Sequence, residues 1–225
     1  MGTQESVKPA FYALRGGGWR DYLTLLHPPY TMWHLSYVAL GAGLAPRFHL
    51  DRMLWAIAAF FLAMGVASHA LDELKGRPLR TAIPSPALVG LGAVSLAGAV
   101  AIGIGAAQAW GLGLLVFVAI GVVAVPAYNL ELALHNGFGF ALLWGAFPAL
   151  TGYFVEAQTL RLEAFAAAAF AFATSLAQRT LSTPVRRARR EHATTEGIAP
   201  LERSLRLLAW ALAALAVAIV AARLR

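Results

Sequence analysis

Long apolar segments separated by short polar connections dominate the pattern of this chain. Charged residues are clustered, which leaves runs of roughly 18 to 22 residues almost free of them, the length a helix needs to cross about 30 Å of hydrocarbon. The pattern therefore predicts an all-α, polytopic membrane bundle of about seven spans. Their approximate bounds are 30–45, 53–71, 87–106, 110–125, 138–155, 162–177 and 205–222.

The segments between and within these spans carry further structural signals. Small residues and a very short connection indicate that the third and fourth spans form a tight hairpin. Trp144, Pro148 and Gly152 in the fifth span predict a kinked helix. Residues 178–203 read as a long basic connection. We expect residues 1–26 to form an interfacial segment and residues 27–225 to form the membrane domain.

Composition supports the lipid bilayer as the environment of the chain. Of its residues, 59% are hydrophobic and 13% are charged, against roughly 25% charged in soluble domains. The absence of cysteine excludes disulfides and thiolate chemistry. The sequence pI near 10.4 alone would fit nucleic acid. However, the positive charge lies in short loops between apolar spans, so we expect no nucleic-acid partner.

The distribution of lysine and arginine predicts the orientation of the chain in the cell membrane. With seven spans, the face that holds the amino end and the connections after spans two, four and six carries 13 of these residues, and the other face carries 5. The positive-inside rule then places the amino end in the cytoplasm and the carboxyl end outside.

Two polar clusters lie at the ends of spans on the predicted cytoplasmic face. His69, Asp72 and Glu73 stand at i, i+3 and i+4 at the end of the second span, so they share one face of a helix. A second cluster follows the fourth span. It consists of Tyr128, Asn129, Glu131, His135 and Asn136.

These clusters offer ligands for a metal ion. His69 with Asp72 and Glu73, and Glu131 with His135, are pairs that supply imidazole and carboxylate groups to a transition metal. Facing helices with such pairs build metal sites in helical bundles. A metal-dependent membrane enzyme is therefore one functional interpretation.

Several segments in the same order resemble the UbiA-type intramembrane prenyltransferases. The likeness covers roughly residues 27–222 and rests on order and spacing. The segments that carry it are His27-Pro28-Pro29, Ser68-His69-Ala70-Leu71-Asp72, Gly76-Arg77-Pro78-Leu79, Tyr128-Asn129, and Trp144-Gly145-Ala146-Phe147-Pro148 with Gly152-Tyr153.

The resemblance implies transfer or cyclisation of a polyprenyl diphosphate or related isoprenoid lipid in a cavity open to the cytoplasmic face. Prenyl transfer ionises an allylic diphosphate, whose charge is normally held by Mg²⁺ on clustered carboxylates. The catalytic group would be Asp72, Glu73, Tyr128 and Glu131. Metal ligands would come from Asp72, Glu73, His69 and His135. The substrate-binding group would be Arg77, Arg80, Arg179, Arg186 and Asn129.

The chain also departs from the pattern of this family. Of the three aspartates of the first family motif only Asp72 is present, and residues 178–184 lack the second acidic motif. Arginines bind phosphate directly through charge-assisted bonds, so arginine in place of metal is one explanation. The alternatives are a catalytically inactive isoprenoid-binding or scaffold protein, the metal-dependent enzyme, and a transporter. The sequence does not indicate an oligomeric state.

Overall fold

The structure, a computed structural model, describes residues 8–14, 16–191 and 196–225. Every regular element among these residues is a helix. A single 3₁₀ turn, Glu196–Ile198, leads into the last helix. The helices α1 to α8 are Trp19–Leu25, Pro28–Leu44, Leu50–Leu74, Ser85–Trp110, Leu114–Asn129, Gly137–Ala157, Leu162–Arg190 and Ala199–Arg223.

Four of these helices, α3, α4, α6 and α8, are long and apolar enough to cross a membrane, and α5 is a shorter apolar helix. The fold is therefore a helical membrane bundle, as the hydrophobic pattern predicted. Helix α2 has only 17 residues. The 29 residues of α7 include the arginine run at its carboxyl end. The predicted count of seven spans stays a prediction.

Helix α2 lies at the centre of the bundle and packs along α6 and α8. Its Trp33 and Tyr37 side chains are completely buried. Glycines allow the backbones of α2 and α6 to touch. A Cβ atom at Gly41 would lie 2.0 Å from the Ala149 carbonyl oxygen, and one at Gly152 would lie 2.1 Å from the Val38 carbonyl oxygen. Small residues at helix contacts are the usual means of such close approach in membranes.

The predicted hairpin of the third and fourth spans is present as α4 and α5. These helices are joined by Gly111-Leu112-Gly113. Where the fifth span was predicted to kink, a π-helical segment, Leu142–Ala146, precedes an α-helical segment that begins at Phe147 and has Pro148 in its first turn. A second π-helical segment, Phe61–Ser68, lies within α3. It ends directly before His69 and so sets the direction in which His69 and Asp72 point.

One predicted connection is wrong. Residues 178–203 were expected to form a basic connection, whereas α7 continues to Arg190. Pro184 lies within the helix without ending it. At 1.5 Å per residue, a helix of this length extends about 43 Å, more than the hydrocarbon thickness. The arginines are therefore held on a rigid helix.

Candidate functional site

A polar cavity of about 370 Å³ lies at one end of the bundle. It is enclosed by the ends of α3 and α5, the start of α2, the second half of α7 and the segment before α1. The structure brings eight of the predicted site residues to this cavity. They are His69, Asp72, Tyr128, Asn129, Glu131, His135, Arg179 and Arg186.

Glu73 does not reach the cavity, although it follows Asp72 directly. Its side chain is fully buried. One carboxylate oxygen accepts a hydrogen bond from the Leu79 backbone N–H at 2.9 Å. The other accepts from the Thr81 backbone N–H at 2.8 Å and the Thr81 hydroxyl at 2.9 Å. Glu73 therefore fastens the loop after α3, and its predicted roles in catalysis and metal binding stay predictions without support from this geometry.

Arg77 and Arg80 also lie apart from the lining of the cavity. Arg77 donates to the Ile83 carbonyl oxygen at 2.6 Å and to the Ser85 hydroxyl at 2.8 Å. Its guanidinium therefore ties the loop to the start of α4. Both arginines have positive φ angles in this turn, 52° and 54°. The predicted contact of these two residues with a substrate has no support in this geometry.

Tyr128 and Arg179 form the best-defined polar pair of the cavity. Nη1 of Arg179 donates to the Tyr128 hydroxyl at 2.8 Å, and the guanidinium lies 5.4 Å from the centre of the Phe140 ring. The Tyr128 ring packs against Trp144 at 4.6 Å between centroids. The second half of α7, which the sequence assigned to a connection, thus positions one cation at the cavity wall.

Asn129 has a structural role beside the cavity. Its amide oxygen accepts from the Ser68 hydroxyl at 2.9 Å, and its amide nitrogen donates to the Val125 carbonyl oxygen at 2.7 Å. The residue thereby joins the end of α5 to α3. The second amide N–H is not used by these two hydrogen bonds, so the predicted role of Asn129 in substrate binding stays a prediction.

The acidic groups of the cavity are spread apart. Glu131 lies 3.6 Å from the Lys75 ammonium and 3.8 Å from His135 Nε2. His135 Nδ1 contacts the Tyr128 carbonyl oxygen at 2.9 Å. The Asp72 carboxylate, which is partly buried, makes no hydrogen bond to any described residue. This leaves Asp72 as the carboxylate most open to a ligand.

These positions do not fit a metal ion held by clustered carboxylates. In the part of the chain that the structure describes, no three His, Asp or Glu side chains are placed to hold one ion. The oxygens of Glu73 are occupied by backbone groups, and Glu131 is engaged by Lys75 and His135. Among the described residues neither predicted metal set, for magnesium or for a transition metal, is assembled, and both sites stay predictions.

The segment before α1 contributes residues that the sequence interpretation missed. Phe11 and Tyr12 line the cavity, and the Tyr12 hydroxyl contacts His27 Nδ1 at 2.7 Å. Burial raises the pKa of Tyr12. Burial and the nearby His69 lower the pKa of His27, which therefore stays neutral. The aromatic pair within a polar segment was the only sequence signal.

His27 also lines the polar cavity. Its ring stacks on that of His69, with centroids 4.1 Å apart. Phe11 and Tyr12 of the predicted interfacial segment therefore form part of the cavity wall. Residues 1–7 and 15 of that segment lie outside the described residues.

A second, apolar cavity of about 110 Å³ lies between α3, α4, α5 and α6. Phe60, Phe117 and Phe147 contribute to its wall, which reaches Trp110 at the far end of the bundle. Trp144 lines both cavities. One tryptophan side chain therefore borders both a charged space and an apolar space.

No family model, curated protein or solved structure matches this chain. The resemblance to the UbiA-type prenyltransferases consequently rests on the sequence segments quoted above, and membership of that family stays a prediction.

Proposed function

We propose that this membrane protein binds an isoprenoid diphosphate and transfers its prenyl group at the polar cavity. The observation that carries the proposal is that Trp144 borders both the polar and the apolar cavity. A diphosphate head fits the charged side, and the first part of an isoprenoid tail fits the apolar side. Because the apolar cavity is only about 110 Å³, the rest of a long tail would extend into the bilayer.

In the proposed reaction, the bond between the allylic carbon and the diphosphate oxygen breaks, and its electron pair leaves with the diphosphate. The nucleophilic atom of the acceptor forms a new bond to that carbon. Asp72 takes the proton that the acceptor loses, since it is the carboxylate of the cavity with no described hydrogen bond. Tyr128 and Glu131 flank the acceptor, and Arg179 and Arg186 hold the diphosphate.

We also propose that the polar cavity opens to the cytoplasm. Its end of the bundle carries the arginines of α7 and the amino-terminal segment, and cytoplasmic loops of membrane proteins are rich in such residues. Isoprenoid diphosphates are charged at one end, so a cavity that opens on a face of the membrane admits the head from water.

The binding step is tested with purified full-length protein in a neutral detergent. Geranylgeranyl diphosphate is expected to bind, while geranylgeraniol, which lacks the charged head, is expected to bind at least about tenfold more weakly. Ala59→Phe fills the apolar cavity and should weaken binding. Ala58→Phe, on the same helix but outside the lining, is the matched control. Equal binding of geranylgeranyl diphosphate by both variants would contradict the proposal that the tail occupies the apolar cavity.

The transfer step is tested in membranes with a radiolabelled prenyl diphosphate. Label should pass from the diphosphate to a membrane product, and Asp72→Asn should abolish this transfer while keeping diphosphate binding. A fully active Asp72→Asn variant would contradict the role of Asp72.

A catalytically inactive isoprenoid-binding protein is the second candidate. It is favoured by the use of Glu73 for loop structure, which leaves fewer carboxylates at the cavity than the resemblance implies. Binding of geranylgeranyl diphosphate by the wild-type protein, with no label transferred under any condition, would select this candidate over the enzyme.

A further inference from the structure

The polar cavity holds more positive charge than its described carboxylates neutralise. Lys75 is paired with Glu131 at 3.6 Å. Arg189 is paired with the buried Glu202 outside the lining. The remaining cations of the cavity wall are Arg179, Arg186 and Arg190, and the remaining carboxylate is Asp72.

Arg179 is held in place by uncharged partners. The Tyr128 hydroxyl accepts its hydrogen bond at 2.8 Å, and the Phe140 ring lies 5.4 Å from its guanidinium. These contacts restrict the side chain without neutralising its charge. The fixed cation is therefore preorganised for an anion, since the cost of ordering the side chain is met before a ligand arrives.

Arg186 follows Arg179 by two helical turns on the same face of α7. The two positive charges are close enough to repel each other, and the Arg186 charge also acts on Asp72. Its one described hydrogen bond to a side chain, from Nη2 to the Thr183 hydroxyl at 3.5 Å, is long. Like charges held together in a partly closed cavity are stabilised when an anion binds between them.

Gln178 also belongs to the wall of the cavity, where it is 3% exposed. Its amide oxygen is buried without a hydrogen-bond partner among the described residues. An amide oxygen accepts hydrogen bonds and does not donate them, so this atom does not contribute to the binding of an anion.

We propose that Arg179 and Arg186 form an oxyanion site that binds a diphosphate without a metal ion. Arginine donates in a planar fork that matches phosphate oxygens, so two arginines can replace the charge that a metal ion would supply. Tyr128 is the positioning residue, which acts by holding Arg179. This inference rests on the proposed function for the choice of a diphosphate as ligand.

The test uses inorganic pyrophosphate, the full-length protein in neutral detergent, and either excess chelator or added Mg²⁺. Pyrophosphate should bind equally well in both conditions. Arg186→Gln should weaken binding about tenfold or more. Arg187→Gln should leave it unchanged, because Arg187 is the next residue of α7 but is exposed and paired with Glu191 at 2.9 Å.

Three further variants keep the test independent of folding. Arg179→Lys keeps the charge but loses the planar fork, so it should bind more weakly than the wild type and more tightly than Arg179→Gln. Tyr128→Phe should weaken binding in the wild type but add nothing in Arg179→Gln, a coupling that a general loss of stability would not produce. Additive effects of the two changes would overturn the positioning role.

The outcomes separate this inference from the proposed function. Geranylgeranyl diphosphate binding that requires both Mg²⁺ and Asp72 would overturn the metal-free site and keep the function. Pyrophosphate binding in chelator, with no preference for a prenyl tail, would keep the site and overturn the function. Displacement of pyrophosphate by phosphatidylglycerol would assign the site to a phospholipid head group instead. Absence of binding in every condition would overturn the site.

Discussion

At the scale of single residues, Asp72 and Glu73 show that two neighbouring carboxylates can have different structural roles. Both are carboxylates at the end of one helix, and their spacing from His69 allowed both to be ligands. The structure separates them, because Asp72 lines the cavity whereas Glu73 binds Leu79 and Thr81 of the following loop. The conformation of that loop is a tertiary feature, so the roles of Asp72 and Glu73 could not be distinguished from the sequence.

Glu73→Gln is expected to destabilise the protein without a direct effect on chemistry. The variant places an NH₂ group opposite a backbone N–H donor and removes the charge-assisted hydrogen bonds of the carboxylate. The free energy of unfolding should therefore fall by about 2 kcal/mol or more. Thermal denaturation of the detergent-solubilised protein measures the loss. Glu131→Gln is the control, since Glu131 is half exposed and its pairs should contribute less than about 1 kcal/mol. Normal stability with lost turnover in Glu73→Gln would restore its predicted catalytic role.

His27 should make stability depend on pH. Burial lowers its pKa below the usual value of about 6.5. In the window between the two pKa values the unfolded chain binds a proton that the folded chain does not, so stability is lost as the pH falls below about 6.5. The melting temperature should therefore drop between about pH 7.5 and pH 5. His27→Asn does not titrate and tolerates the φ of 45° at this position, so its drop should be smaller. An equal drop would contradict the assignment.

At the scale of helices, the sequence predicted the elements better than their ends. The α4–α5 hairpin and the irregularity near Pro148 are both present, because glycine, proline and short connections act locally. The continuation of α7 to Arg190 was missed. A proline followed by arginines is typical of a helix end, yet contacts of α7 with α6 and α8 keep the helix intact. At this position, tertiary packing outweighs the intrinsic tendency of the sequence to end the helix.

The contact between α2 and α6 should be sensitive to a single methyl group. Gly152→Ala places a Cβ atom 2.1 Å from the Val38 carbonyl oxygen, so the helices must move apart. We expect a loss of about 1–3 kcal/mol, measured by thermal denaturation. Gly105→Ala is matched to it, since no atom lies within 4 Å of the added Cβ and alanine favours helix by roughly 0.5–1 kcal/mol. Similar melting temperatures for the two variants would refute the close contact.

At the scale of the whole molecule, the arrangement of charge predicts the orientation of the bundle. The polar cavity, the amino-terminal segment and the arginines of α7 all lie at one end, and the sequence predicted that these groups share a membrane face. Their assembly into one cavity agrees with that prediction. The side of the membrane on which the cavity opens follows from the charge count alone.

The chain contains no cysteine, so single cysteines report topology without a background signal. Thr159 and Glu191 are both exposed and flank α7, a helix about 43 Å long. In intact cells whose outer surface is accessible, a membrane-impermeant maleimide should label Thr159→Cys and spare Glu191→Cys. After permeabilisation both should be labelled. Labelling of Glu191→Cys alone in intact cells would invert the orientation and place the cavity outside. Labelling of both would show that α7 does not separate two compartments, and the count of seven spans would then be wrong.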